Sequence, residues 1–263
     1  MITSTSNSQI KTIVQLNKKA KARRELRAFV VEGAKMVAET PGELLQSVYV
    51  AEHFLKDPEN KAFFQANDFD YEIVSDAVFS HMSDTNTPQG ILAVVRQPHY
   101  ELEQLLEGRP VRLLILEDIQ DPGNLGTMVR TAEGAGFSGI VMTKGTVDLF
   151  APKTVRGTMG GIYRMPYVVT EDLPHVLEQL HAKGIKTFAA HLRGERFYDE
   201  LDLTGDLAFL IGNEGNGLKE ETAALADTYL KIPMEGRLES LNAAMAAGIL
   251  MYETYRQGRM GDT

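Results

Sequence analysis

The 263-residue sequence contains no cysteine. Disulfide bonds, thiolate metal sites and a cysteine nucleophile are therefore excluded. The six histidines include no HExxH motif and no other ligand pair at helical spacing, so we expect no metal ion. A GxGxxG turn is missing too, which counts against a dinucleotide-binding fold.

Long apolar runs are also missing. No stretch approaches the roughly 18 apolar residues that a membrane-spanning helix needs. The N-terminal residues MITSTSNSQIK are polar and hold no apolar core of a signal peptide. We therefore expect a cytoplasmic protein without a membrane partner. Its 43% hydrophobic and 24% charged residues are typical of a globular chain, and its length allows two modest domains.

Charge is unevenly distributed along the chain. The formal net charge of −9, taken alone, argues against a nucleic-acid partner. Residues 1–35 nevertheless hold eight basic and two acidic side chains, a local balance of +6, so the remaining 228 residues carry −15. A basic segment of this kind can follow a phosphate backbone. The alternative is that KKAKARRELR is only the solvated face of a helix.

Alternating helical and strand-like patterns predict a small α/β domain over residues 1–98. The expected helices span 8–22, 34–39 and 60–66, and the expected strands span 28–31, 47–51, 71–74 and 91–95. Residues 99–110, which contain Gly108 and Pro110, are expected to be a linker.

Residues 111–263 are predicted to form a second α/β domain. The apolar run VRLLIL at 111–116 is typical of a strand in a parallel sheet that is covered on both faces. Further strands are expected over 138–142, 186–190, 207–211 and 229–232, and helices over 125–135, 153–159 and 173–183.

Two loops of this second domain carry polar groups beside flexible backbone. Asn124 follows a Pro-Gly pair and can cap the helix that carries Arg130. The turn GNEGNGL at 212–218 holds three glycines, which let a ligand approach the backbone beside Glu214.

The C-terminal stretch IPMEGRLESLNAAMAAGILMY at 232–252 has a third polar loop. Ser240 can cap a helix that contains no charged residue as far as Tyr252. An ordinary surface helix has a charged face, so we expect this helix to be buried.

Three stretches resemble, in the correct order, the three motifs of the SpoU (TrmH) family of the SPOUT class of RNA methyltransferases. They are DPGNLGTMVRTAEGAGF at 121–137, FLIGNEGNGL at 209–218 and IPMEGRLESLNAAMAAGI at 232–249. VDLFAPKTVRGTMGGIYRMP, between the first two, is also similar to the family. The N-terminal SNSQIKTIVQLNKKAKARRELRAFVVEG is similar to the small ribosomal-protein-like RNA-binding domain of members that act on ribosomal RNA.

This resemblance implies a trefoil-knotted α/β domain that holds S-adenosylmethionine bent in the knot. The implied reaction transfers its methyl group to a ribose 2′-hydroxyl in RNA, foremost 23S ribosomal RNA. Family members are homodimers whose active site draws residues from both subunits. The alternatives are a transfer-RNA methyltransferase of the same family and a catalytically silent RNA-binding module. A housekeeping role and a role in antibiotic resistance are both compatible with this layout.

The resemblance also assigns site residues. The catalytic candidates are Arg130, Asn124, Glu214, Ser240 and Asn242. The family pattern places cofactor contacts at Ala190, His191, Leu192, Gly212, Asn213, Gly217, Ile232, Met234 and Leu241. The basic side chains expected to contact RNA are Lys18, Lys19, Arg23, Arg24 and Arg27.

Each catalytic candidate has an expected role and an alternative. A guanidinium stays protonated, so we favour Arg130 as a phosphate anchor that stabilises the developing alkoxide, with proton removal by the arginine as the alternative. Asn124 holds that arginine or the RNA, or only caps its helix. Glu214 orients the arginine or binds RNA, or is simply a loop carboxylate. Ser240 and Asn242 hydrogen-bond the ribose, a phosphate or the cofactor carboxylate, or only cap the last helix.

His191 is the weakest of the cofactor candidates. A histidine that faces solvent explains that position equally well.

Overall fold

The computed structural model describes residues 1–67 and 69–261. The chain forms two compact units. The first consists of Met1–Pro98 and Asp148–Tyr163, and the second of His99–Val147 and the chain from Arg164 onward. Asp68 and the last two residues, which the predicted domain ranges include, lie outside the described residues. Within the described residues, no helix combines the length and the apolar character needed to cross a membrane.

A four-stranded sheet supports the first unit. Its strands are β1 (Ala28–Glu32), β2 (Leu45–Ala51), β3 (Glu72–Val74) and β4 (Ile91–Arg96). They lie in the order β1-β4-β2-β3, with β4 antiparallel to β1 and β2, and β3 parallel to β2. Its helices are α1 (Ser8–Lys18), α2 (Ala20–Leu26), α3 (Ala34–Ala38), α4 (Glu52–Lys56), α5 (Lys61–Ala66) and α6 (Asp76–Met82). The buried residues Ile10, Ile13 and Leu16 recur at helical spacing and join α1 to the core.

The predicted helix over 8–22 is divided because Lys19 is extended between α1 and α2. In α2 the side chain of Arg23 is only 6% exposed. Its guanidinium donates to the carbonyl oxygen of Leu16 at 2.5 Å and to Asp148 Oδ2 at 2.8 Å. The prediction of Arg23 as an RNA contact is therefore corrected. A buried guanidinium already paired with a carboxylate does not present its donors to a phosphate.

The second unit contains seven parallel strands. They are β5 (Arg112–Leu116), β6 (Gly139–Thr143), β7 (Tyr167–Thr170), β8 (Lys186–Ala190), β9 (Arg196–Phe197), β10 (Leu207–Ile211) and β11 (Thr228–Lys231). Their order is β7-β6-β5-β10-β8-β11-β9. The helices are α7 (Leu102–Leu105), α8 (Pro122–Gly134), α10 (Leu173–Ala182), α11 (Glu220–Ala223) and α12 (Ala243–Gly261). The predicted α/β fold with a covered parallel sheet is confirmed, and the parallel arrangement brings all carboxyl ends of the strands to one edge.

The last helix, α12, is longer and more exposed than predicted. It begins at Ala243 and packs against α8 and β10 through a face that includes the buried Ala247 and Leu250. Its opposite face exposes 59% of Met245 and 50% of Tyr252. The expectation of a fully buried helix is therefore wrong, because the absence of charge here accompanies an exposed apolar face.

Two segments differ from the predicted domain division. Residues 99–110 do not form a free linker, because Leu102 and Leu105 of α7 are buried in the core of the second unit. Residues 148–163, predicted within the second domain, belong to the first unit. Their helix α9 (Pro152–Thr158) packs against β1, and the ring of Phe150 lies 4.7 Å from that of Phe29.

Candidate active site

Three strands of the second unit, β8, β10 and β11, lead into loops that surround a cavity of about 660 Å³. This volume is within the range of about 300–1,000 Å³ that is usual for small-molecule sites. All nine predicted cofactor contacts line it: Ala190, His191, Leu192, Gly212, Asn213, Gly217, Ile232, Met234 and Leu241. Glu214 and Ser240 also line the cavity, whereas Asn124, Arg130 and Asn242 do not.

Two glycines allow the wall of the cavity to form. A Cβ atom on Gly212 would lie 2.1 Å from the carbonyl carbon of Gly217 and 2.1 Å from the amide nitrogen of Leu218. Only a residue without a side chain permits this backbone contact. Gly217 has a φ of 71°, which also favours glycine. The turn between them is closed by Asn213, whose amide donates to the Gly217 carbonyl at 3.1 Å.

The Glu214 carboxylate connects this turn to the loop after β5. It accepts hydrogen bonds from the backbone amides of Gln120 and Asp121, both at 3.0 Å, and from Asn124 Nδ2 at 2.9 Å. Burial raises the pKa of Glu214, but these hydrogen bonds outweigh it and leave the pKa below its ordinary value. Glu214 is therefore a fixed anion at the edge of the cavity.

Asn124 and Asn242 join the first motif to the third. Asn242 Nδ2 donates to Asn124 Oδ1 at 3.0 Å, and Asn242 Oδ1 accepts from the amide of Ala244 at 3.0 Å. Asn242 therefore caps α12, and the prediction that Ser240 does so is wrong because the helix begins three residues later. Asp121, not Asn124, caps α8, since its carboxylate accepts from the Asn124 amide at 2.8 Å. Both asparagine side chains are thus used for bridging loops.

Arg130 is exposed on α8. Within residues 1–67 and 69–261 it makes no hydrogen bond and no ion pair, and neither Asn124 nor Glu214 orients it. Because it also lies outside the cavity lining of its own chain, its guanidinium is available to a second molecule.

The loop after β8 contains His191, which lines the cavity, and Arg193. The His191 side chain is only 13% exposed, and its ring packs at 5.1 Å from that of Tyr229. The alternative of a solvent-facing histidine is therefore wrong. His191 Nδ1 accepts from the Arg193 amide at 3.1 Å, and the Arg193 guanidinium pairs with Glu220.

Several lining residues were not predicted, and they include four charged side chains. The charged ones are Glu220, Lys231, Glu235 and Glu239, and the others include Phe197 and Pro233. Together with Glu214, the lining has four carboxylates and one ammonium, a balance that favours a cationic ligand. The ammonium of Lys231 lies 5.0 Å from the centre of the Phe197 ring. The sequence signal for this charge was the set of glutamates within motifs two and three and just after motif two, whereas the two-residue strand holding Phe197 had no such signal.

The basic residues predicted to contact RNA lie in the first unit. Lys18, Lys19, Arg24 and Arg27 are exposed, unlike the buried Arg23. Across the part of the chain that the structure describes, no group of three or more His, Cys, Asp or Glu side chains could hold a metal ion.

Both halves of the chain match known protein families. Residues 112–252 match the SpoU rRNA Methylase family, and residues 7–93 match the MRM3-like substrate binding domain. Over 251 residues the chain is 36% identical to the 23S rRNA (guanosine(2553)-2′-O)-methyltransferase RlmP of Bacillus subtilis. The match covers 95% of this chain and 97% of that relative.

Solved structures show the same fold. The AdoMet-bound rRNA methyltransferase from Sinorhizobium meliloti is 32% identical, with a TM-score of 0.81 and 97% of each chain covered. The SpoU methyltransferase AviRb from Streptomyces viridochromogenes, in complex with AdoMet, has a TM-score of 0.87 and covers 97% of this chain and 98% of that one. At 23% identity, the similarity to AviRb supports only the fold.

Proposed function

The chain belongs to the SpoU rRNA methylase family, and from this membership we propose that it methylates 23S ribosomal RNA. It is an S-adenosylmethionine-dependent enzyme that methylates a ribose 2′-hydroxyl in RNA. The observation that carries the proposal is the bonding of all three motifs beside one cavity: Glu214 holds Asn124 at 2.9 Å, and Asn124 holds Asn242 at 3.0 Å. The match of residues 7–93 to a substrate-binding domain supports a substrate contact in the first unit, and the likeness to a 23S rRNA methyltransferase supports a ribosomal substrate.

The cavity fits the cofactor in size and in charge. Apolar residues such as Ile211, Ile232 and Leu241 provide a slot for a flat base, and Gly212 permits the close backbone packing of the wall beside it. The excess of carboxylates suits a ligand with two cationic groups. When bound, S-adenosylmethionine supplies a methyl group carried on a positively charged sulfur.

The protein's own residues must orient the ribose and manage the proton of its 2′-hydroxyl. Orientation can contribute about 7–11 kcal/mol, and assistance to proton transfer about 10²- to 10⁴-fold in rate. Ser240 lines the cavity, and its hydroxyl has no hydrogen-bond partner among the described residues, so it is available to the ribose or a phosphate. Arg130 anchors the phosphate and stabilises the developing oxyanion, because a guanidinium is a poor base.

A homodimer would bring Arg130 to a cavity. The helices α8 and α12 pack closely, since a Cβ on Gly248 would lie 3.8 Å from Thr131 Cγ2. Beside this contact, Met245 and Tyr252 form an exposed apolar face without charge, which is typical of a covered surface. A second copy docked on this face would carry its Arg130 towards the cavity of the first, which supports an active site shared between subunits.

The course of the C-terminal segment supports the trefoil knot. In the sheet β11 is separated from β10 by β8, yet α12, which follows β11, packs against β10 and α8. Residues 232–242 must therefore pass across the loops that follow β8 and β10. These are the loops that surround the cavity.

We assign RNA binding in the first unit to Lys18, Lys19, Arg24 and Arg27. They are exposed and lie in the basic segment, which suits contacts to a phosphate backbone. A ribosomal RNA substrate supports a cytoplasmic location for the reaction.

The test compares ribose methylation across ribosomal RNA from cells with and without the gene, followed by reaction of the purified protein with the RNA that lacks the mark. We expect one 2′-O-methyl group to disappear from 23S RNA and to be restored in vitro. Arg130→Ala should lower the single-turnover rate at least about 100-fold. Arg109→Ala, an exposed arginine at the opposite edge of the sheet, is the matched control. An unchanged methylation pattern would refute the assignment of the RNA, and an active Arg130→Ala would refute that of the arginine.

A further inference from the structure

We propose that Asp118 is a positioning residue that fixes the loop after β5 against the loop after β10, and this proposal rests on the proposed function of that site. Asp118 has a φ of 55°, in the left-handed region that disfavours residues with a side chain. Strain of this kind persists only where surrounding contacts hold it, and it clusters at functional sites.

The Asp118 carboxylate is held on two sides. Oδ1 accepts from Thr143 Oγ1 at 2.8 Å, and Oδ2 pairs with Lys219 Nζ at 2.8 Å. Lys219 directly follows Leu218, which lines the cavity, so the ion pair ties the β5 loop to the end of the glycine-rich turn. A Cβ on Gly145 would lie only 2.1 Å from Asp118 Oδ1. Glycine at 145 therefore makes the space that this carboxylate occupies.

The backbone of Asp118 is used as fully as its side chain. Its carbonyl accepts from Asn213 Nδ2 and from Gln120 Nε2, both at 2.9 Å, and its amide donates to Thr143 Oγ1 at 2.9 Å. Asn213 lines the cavity. The left-handed turn at Asp118 thus directs one carbonyl to the cavity wall.

The residues that follow this turn supply the amides that hold Glu214. Gln120 and Asp121 both donate backbone hydrogen bonds to its carboxylate. Asp118 itself does not line the cavity, so it acts through these neighbours and not on a ligand. A change in its conformation would shift Glu214 and, through it, Asn124.

The decisive test is a double-mutant cycle between Asp118 and Gly145. In the full-length protein, Gly145→Ala pushes a methyl group into the carboxylate, and we expect S-adenosylmethionine to bind about tenfold more weakly by calorimetry. Asp118→Gly relieves the strain but loses the ion pair, and we expect an intermediate loss of about threefold. In the Asp118→Gly background the alanine at 145 meets no atom closer than 3.5 Å, so it should add less than about twofold. A merely structural defect at 145 would not be rescued in this way.

Two further measurements keep the outcome clear. Hydrogen exchange at the Gln120 and Asp121 amides should accelerate in Gly145→Ala and return towards the wild-type rate in the double variant. If Gly145→Ala fails to fold, Lys219→Met replaces it, and its effect should likewise shrink in the Asp118→Gly background. Additive effects in the cycle would overturn the role of Asp118. Failure of the wild-type protein to bind the cofactor would instead overturn the proposed function.

Discussion

The side-chain amide of Asn242 donates a 3.0 Å hydrogen bond to the side-chain oxygen of Asn124. The other ends of both amides are occupied as well. Asn124 Nδ2 donates to Glu214, and Asn242 Oδ1 accepts from the Ala244 amide at the start of α12. Each amide therefore has a single orientation that satisfies all of its partners. A chain of hydrogen bonds runs from a carboxylate on the cavity wall to the last helix.

Replacing Asn242 by Asp separates the capping role of this residue from its bridging role. Asp and Asn cap helices about equally well, so the melting temperature should change little. The variant lacks the Nδ2 donor and sets a carboxylate oxygen against Asn124 Oδ1. If Asn124 turned its amide to meet that oxygen, it would lose its bond to Glu214. We expect the affinity for S-adenosylmethionine to fall by about tenfold, measured by calorimetry.

Asn242→Ala is the matched comparison, because it removes the cap and the bridge together. It should lower the free energy of unfolding by about 1 kcal/mol as well as the affinity. If the Asp variant bound the cofactor like the wild type, the bridge between the two asparagines would have no role in binding.

The carboxylate of Glu214 should make stability depend on pH in the acid range. Its pKa in the folded protein is lowered, so it stabilises the fold at pH values above its unfolded pKa of about 4.3. That contribution is lost as the pH falls from there through the lowered folded pKa. The melting temperature of Glu214→Gln should therefore fall less steeply with decreasing pH than that of the wild type. Glu195→Gln, on an exposed loop, is the control, and parallel curves for wild type and Glu214→Gln would contradict the prediction.

Local sequence patterns predicted the helices and strands of the fold better than they predicted the tertiary contacts of individual side chains. The apolar run at 111–116 was recognisable as a buried strand because a covered parallel strand needs apolar residues on both faces. The burial of Arg23 was not, because its carboxylate partner Asp148 lies 125 residues away. The composition of the uncharged stretch of α12 is compatible both with burial by its own chain and with an exposed apolar face, so it could not decide between them. Three-dimensional pairing decided each of these cases.

Those parts of the site were predictable in which the local structure permits only one residue type. Glycines at 212 and 217 mark a turn that only glycine can form. The cap positions of α8 and α12 were displaced because two or three neighbouring polar residues can each cap a helix. Only the tertiary hydrogen bonds among Glu214, Asn124 and Asn242 decide which of them remains for bridging.

The exposed basic residues of the first unit should control the salt dependence of RNA binding. Replacing Lys18, Lys19, Arg24 and Arg27 by Gln removes four phosphate contacts at most. The slope of log affinity against log salt should then flatten by up to about 3 for a single strand. Replacing Lys183 and Lys186 of the second unit by Gln is the control for general charge. An unchanged slope in the fourfold variant would mean that the basic segment is only a solvated helix face and does not contact RNA.

A negative charge on the apolar face of α12 should separate the proposed dimer. Tyr252→Glu places a carboxylate where a second copy would exclude water, so we expect a monomer in analytical ultracentrifugation. Methylation should fall with it, because Arg130 would no longer reach a partner's cavity. Leu225→Glu, 40% exposed elsewhere in the second unit, should leave the mass unchanged. A wild-type protein that is monomeric at micromolar concentration would contradict the proposal.

The acidic lining of the cavity should distinguish the cofactor from its product. S-adenosylmethionine carries a methyl group and a positive charge on sulfur, both of which S-adenosylhomocysteine lacks, while the rest of the two molecules is the same. Glu235 and Glu239 line the cavity as exposed carboxylates, so water screens them. Two unit charges about 8 Å apart in water interact by only about 0.5 kcal/mol, and each carboxylate should contribute about that much. Replacing both by Gln should therefore lower the affinity for the cofactor by about fivefold and the affinity for the product much less, as measured by calorimetry at low salt. Equal losses of affinity for both ligands would mean that these carboxylates contact the shared amino-acid group, since the two ligands differ in charge only at the sulfur.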